Sequence, residues 1–109
     1  MIIEKETVEE MFDHMRKNAP WDMDGNLLWE YHFYSDNLPK LKQLAAQLAT
    51  DGYRTSITKD DGAHWLDAEK VETHSVDSLT LRNDQLHKLG EEFGAEYDGM
   101  DVGAAPSTN

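Results

Sequence analysis

Between Leu27 and Tyr34 the chain alternates in side-chain character. Leu27, Trp29, Tyr31 and Phe33 fall on one parity, and Leu28, Glu30, His32 and Tyr34 on the other. A period of two, in a run too short for a typical helix and rich in aromatic residues, predicts a strand whose first set faces the core. Behind it, "SDNLPKLKQLAAQLATDGY" changes to a helical period. Leu38, Leu41, Leu44, Ala45 and Leu48 form one stripe, polar capping residues and Pro39 mark the start, and Gly52 stands just past the end. Alternation then returns in Tyr53, Thr55 and Ile57. Turn residues in "KDDGAH" separate these from "WLDAEKV", which predicts a β-hairpin with Leu66 and Ala68 inward and Trp65, Asp67 and Glu69 outward unless a bulge shifts the register.

Leu79, Leu86, Leu89 and Phe93 recur at helical spacing and predict a helix from Ser75 to Phe93 with Gly94 at its stop. "AEYDGMDV" reads as a last strand, and "GAAPSTN" has no apolar period and is expected to be disordered. Ahead of all these, "TVEEMFDHM" carries a capping-box pattern, Thr7 with Glu10, before the apolar face Val8, Met11, Phe12 and Met15; Pro20 should end this first helix.

After the first helix the order is β-α-β-β-α-β, the split arrangement of ferredoxin-like domains. The fold class expected is α+β: an antiparallel four-stranded sheet in the order 4-1-3-2, two helices on one face, and an extra N-terminal helix. Three segments follow: residues 1–22 as the amphipathic helix and connector, 23–103 as the ferredoxin-like domain, and 104–109 as the tail. In the last strand Ala95, Tyr97 and Gly99 are expected to face the helices. Glu96, Asp98 and Met100 then share the uncovered face with Glu30, His32, Trp65, Asp67 and Glu69. Acidic residues are depleted in strands, and on an edge they can serve simply to discourage pairing with another chain. The N-terminal helix could fold over Trp65 and Met100, dimerise the protein, or dock elsewhere; the sequence leaves these options open, and with them monomer or homodimer.

Composition adds a sign to that face. The 109 residues hold 22 Asp and Glu against 10 Lys and Arg, a formal net charge of -12. Such a surface repels phosphates, so direct binding of nucleic acid is disfavoured. There is no cysteine, which removes disulfides and thiolate chemistry. Neither a basic lead followed by an apolar run nor a stretch of about 20 apolar residues occurs, so a cytoplasmic protein without a membrane anchor is expected.

Catalytic motifs are lacking. His14, His32, His64, His74 and His87 could combine with carboxylates, but no pair has the H-E-x-x-H spacing of a zinc helix. "DMDGN" imitates the start of a calcium loop, yet Leu27 stands where glycine is needed and Phe33 at the twelfth position. There is no nucleophile elbow and no glycine-rich phosphate loop. No catalytic residue and no cofactor are assigned, and a metal-dependent hydrolase centred on His32 is kept only as an alternative.

"WEYHFYSDNLPKLKQLAAQLATDGY", the acidic "DDG" hairpin and "LHKLGEEFGAEYDG" together resemble the regulator of ribonuclease E activity B family, over roughly Leu27 to Asp101. The resemblance implies a ferredoxin-like domain that binds the scaffold region of ribonuclease E and alters RNA decay without cutting RNA. Two features depart from the family pattern and bear on whether ribonuclease E is the target. Met100 stands where a Trp often follows "YDG", and "GAAPSTN" carries none of the acidic residues of the founding members' tail. The resulting expectation is a non-catalytic regulator that binds a basic protein segment through Glu30, His32, Trp65, Asp67, Glu69, Glu96, Asp98 and Met100. An immunity-like antidote to a basic toxin would use the same surface.

Overall fold

The computed structural model describes residues 3–106. Seven elements follow one another: α1 (Lys5–Asn18), β1 (Leu27–Ser35), α2 (Leu38–Thr50), β2 (Arg54–Asp60), β3 (Ala63–Glu72), α3 (Val76–Glu92) and β4 (Glu96–Ala104). The strands form one antiparallel sheet in the order β2-β3-β1-β4. This is the expected α+β, ferredoxin-like arrangement, with the long aromatic strand β1 inside and β2 and β4 at the edges.

Local sequence accounts for the boundaries. Asn37 caps α2 by accepting from the Lys40 amide at 3.1 Å, with Pro39 in the first turn where its missing N–H costs nothing. Ser75 caps α3 in a reciprocal box with Ser78. The hairpin between β2 and β3 turns at Asp61 and Gly62, both with positive φ, 49° and 81°, as a two-residue loop matched to the strand twist requires. The start of α1 differs from expectation. The helix begins at Lys5 with Glu4 at the cap and no side-chain cap bond, so Thr7 and Glu10 lie inside it and do not form a capping box.

All three helices lie on one side of the sheet. β1 alternates buried and half-buried along its whole length, and its inward residues Trp29, Tyr31 and Phe33 are fully buried. Leu41, Leu44 and Leu48 of α2 and Leu79 and Leu86 of α3 close over them, with Leu66 and Ala68 from β3. α1 joins this same core. Its Val8 and Phe12 are fully buried, the Phe12 ring stacks on Trp29 at 6.1 Å between centroids, and an exposed Lys5–Asp77 ion pair at 2.8 Å ties it to α3. Of the docks left open by sequence, α1 therefore takes the helical side and leaves the other face of the sheet bare.

β4 departs from simple alternation. Its pairing with β1 shifts between His32 and Phe33: Phe33 stands opposite Tyr97 and His32 opposite Gly99, so Asp98 is an extra residue in a β-bulge. One inserted residue reverses the parity of everything after it. Met100 thus stands opposite the buried Tyr31 and packs on the core, contrary to its expected place on the bare face, while Gly99 turns outward. The strand also runs on through Gly103 and Ala104, which extends it into the segment expected to be disordered; residues 107–109 of that segment lie outside the described residues.

Candidate protein-docking face

Antiparallel registers place directly paired residues on the same side of the sheet, so the bare face is built of rows running across the strands. One row is Arg54, Glu69, Glu30 and Asp101, crossing all four strands. The next is Ser56, Asp67, His32 and Gly99, with Asp98 beside it in the bulge; the third is Thr58, Trp65, Tyr34 and Glu96. At the opposite end from Trp65, Val71 pairs with Leu28, and Leu28 with Gly103. Acidic rows thus lie between an aromatic end and an aliphatic end.

Side-chain geometry gives these rows their chemistry. His32 Nδ1 donates to Asp67 Oδ1 at 2.6 Å, and Arg54 pairs with Glu69. Glu30 lies between Glu69 and Asp101. A shallow hollow of about 420 Å3 opens here, lined by Glu30, Arg54, Ser56, Asp67 and Glu69. The Tyr34 and Trp65 rings meet at 5.1 Å in a tilted pair. Tyr34 Oη donates to Glu96, and this bond, with the negative charges of Glu96, Asp98 and Asp36 nearby, raises the Tyr34 pKa. Val71 is 49% exposed, the more exposed of the two apolar residues at its end.

The bare face therefore brings together Glu30, His32, Trp65, Asp67, Glu69, Glu96 and Asp98 and excludes Met100. Asp101, Tyr34, Arg54, Leu28 and Val71 belong to it without having been singled out from sequence. One signal for Asp101 was present. An isolated glycine in a strand pattern, here Gly99 with φ 119°, marks a bulge, and a bulge at that point moves Asp101 outward.

A second polar cluster lies on the helical side. Arg82 Nη1 donates to Glu72 at 2.8 Å and to Tyr53 Oη at 2.6 Å, while Tyr31 Oη lies 3.3 Å from Glu72 Oε1 and 3.2 Å from His74 Nε2. His74 Nδ1 is 2.9 Å from Ser78 Oγ, and its ring sits edge-on to Trp29 at 5.3 Å. Burial pulls the Glu72 pKa up, but His74, whose Nε2 lies 3.6 Å from Glu72 Oε1, and the hydrogen bond from Arg82, with the charge of both, outweigh it and leave Glu72 below the usual carboxylate value. Burial is the main cause that raises the pKa of Tyr31. This cluster satisfies its own members and ties β1, β3 and α3 together. Among the described residues, no group of three or more His, Asp or Glu is placed to hold a metal ion. Among the same residues no helix is long and apolar enough to cross a membrane.

Comparison with known families agrees with this architecture. A family model described as RraB, regulator of ribonuclease activity B, matches residues 5–102, from the first residue of α1 into the last strand. No curated relative matches the chain. The match takes in α1, the bulged β4 and every row of the bare face up to Val102, and with it the chain belongs to the regulator of ribonuclease activity B family.

Proposed function

We propose that the protein acts without catalysis, docking its bare sheet face on a basic segment of a ribonuclease partner and so restraining RNA degradation. The scaffold region of ribonuclease E is the first target to test. The observation that carries this reading is the row Glu69–Glu30–Asp101. Three acidic residues stand directly opposite one another in the register across three strands, and Arg54 at the edge pairs with only one of them.

Like charges set opposite each other weaken a sheet. At about 5 Å in water the repulsion of one pair is under ~1 kcal/mol, small enough for a folded domain to tolerate. A local conflict that the fold tolerates without structural gain is characteristic of a surface kept for recognition. A cationic partner relieves the repulsion, and the long-range field speeds its arrival. The docking of α1 on the helical side supports the reading further, since it leaves the face accessible.

The test is the double substitution Glu30→Lys with Asp101→Lys. Association with the ribonuclease E scaffold segment at low salt should slow by roughly tenfold or more, and inhibition of RNA cleavage should fall with it. The melting temperature should change little, because the repulsion between Glu69 and Glu30 turns into attraction while the two introduced lysines, directly opposed, repel as Glu30 and Asp101 did. An unchanged association rate in a correctly folded double variant removes the bare face from the mechanism.

A further inference from the structure

The bare face fixes more than the sign of its partner's charge. Neither edge invites an added strand. β2 is the shortest of the four strands and carries the cations Arg54 and Lys59, and β4 is broken by the bulge at Asp98 and lined with Glu96 and Asp101. In the middle of the sheet the backbone groups are already paired along the ladders. Recognition on the face must therefore pass through side chains standing up from the rows.

Adjacent rows are two strand residues apart, about 6.8 Å. On a helix, residues i and i+4 lie on one side and about 6.0 Å apart. The two periods match closely over the short face. From Leu28 to Tyr34 is about 20 Å, the length of roughly 13 helical residues. Along that line the face offers an aliphatic step at Leu28 and Val71, then the Glu69–Glu30–Asp101 row, then Asp67 with His32, then the Tyr34–Trp65 pair. A second hollow, of about 250 Å3, opens at the aliphatic end, where Lys70 and Pro106 also border it, and shares Arg54 and Glu69 with the first, so the two adjoin from the aliphatic end as far as Asp67.

We propose that the face receives one amphipathic basic helix, with an apolar side chain on Leu28 and Val71, cations over the two acidic rows and an apolar side chain on Tyr34 and Trp65. This rests on the reading that the bare face binds a basic protein segment, and adds the form and the order of side chains that segment must have. The guanidinium of an arginine suits the first acidic row best, because its planar fork can bond neighbouring carboxylates at once. The apolar ends supply the affinity that exposed ion pairs do not.

Synthetic peptides of about 17 residues test this. The probe carries Leu, Arg, Arg and Leu at successive i+4 positions on an Ala–Gln background. Its controls are a scramble of the same composition, a version with Pro at the centre, which breaks the helix, and an oligoarginine. Calorimetry at low salt should show the probe binding at least about tenfold tighter than the scramble and the Pro version, with helical circular dichroism rising on binding. Val71→Ser and Trp65→Ala should each weaken the probe by roughly tenfold while leaving oligoarginine nearly unaffected. Equal binding of the probe, the scramble and the Pro version overturns the helix and leaves the basic-segment reading standing. Failure of every peptide, oligoarginine included, removes both. Sedimentation showing a dimer that buries Trp65, with no peptide bound, assigns the face to a second copy and also overturns the proposal.

Discussion

At the scale of single residues, the most consequential contact away from the docking face is the Glu72–Arg82 pair. The Glu72 side chain keeps 12% of its exposure and that of Arg82 23%, so the pair is mostly withdrawn from water. Removing one partner of such a pair leaves the other charge poorly solvated. Glu72→Gln should cost about 1–3 kcal/mol at neutral pH, less than for a fully buried pair because Arg82 keeps some access to solvent. The folded-state pKa of Glu72 lies below its ordinary value of 4.5. Its contribution is therefore complete above that ordinary value and is lost as the pH falls through the depressed one. Urea unfolding of the native protein and Glu72→Gln at a series of pH values should show the gap closing in acid, once Glu72 is protonated and resembles the amide.

Among the elements, two glycines hold α3 and β4 in place for different physical reasons. A Cβ on Gly90 would stand 2.9 Å from the Ala95 carbonyl oxygen and 3.3 Å from the Phe33 ring, so the last turns of α3 approach the start of β4 and the core of β1 only because that atom is missing. Gly99 has open space around its would-be Cβ, but its φ of 119° lies where side-chain-bearing residues are strained. Gly90→Ala should destabilise through crowding by about 1–3 kcal/mol. Gly99→Ala should cost about 1–3 kcal/mol through backbone strain at the bulge. Thermal unfolding measures both. Amide chemical shifts separate the causes, since the Gly90 change should disturb Phe33 and Ala95 and the Gly99 change should disturb Asp98, Met100 and Asp101 across the bulge.

For the whole molecule the dominant quantity is the formal net charge of -12. Self-repulsion opposes the compact state, and the same field attracts a cationic partner. Added salt should therefore act in opposite directions on folding and on binding. Between roughly 20 and 300 mM sodium chloride the melting temperature should rise by a few degrees, while association with the arginine-bearing peptide should slow by about tenfold or more. Differential scanning calorimetry and stopped-flow association on one salt series check both trends. A parallel fall in stability and association would mean that salt acts on the fold and not on the face.

The sequence by itself determined the elements, their order and most of the core. Aromatic alternation in β1, the leucine stripe of α2, the Asp61–Gly62 turn and the inward pair Leu66 and Ala68 are local patterns, and the chain realises them as read. Glu30, His32, Trp65, Asp67 and Glu69 were legible as one surface for the same reason, since period two survives wherever a strand runs unbroken. Tertiary structure decided the rest. The bulge at Asp98 exchanged Met100 for Asp101 because a register is fixed jointly by two strands, and the partner of Gly99 is not written beside it in the chain. The side on which α1 docks was settled by Phe12 finding Trp29, and the Glu72–Arg82–His74 cluster by packing of residues distant along the chain from Tyr31 and Tyr53. An amphipathic stripe states that a surface will be covered; only the packed molecule states by what.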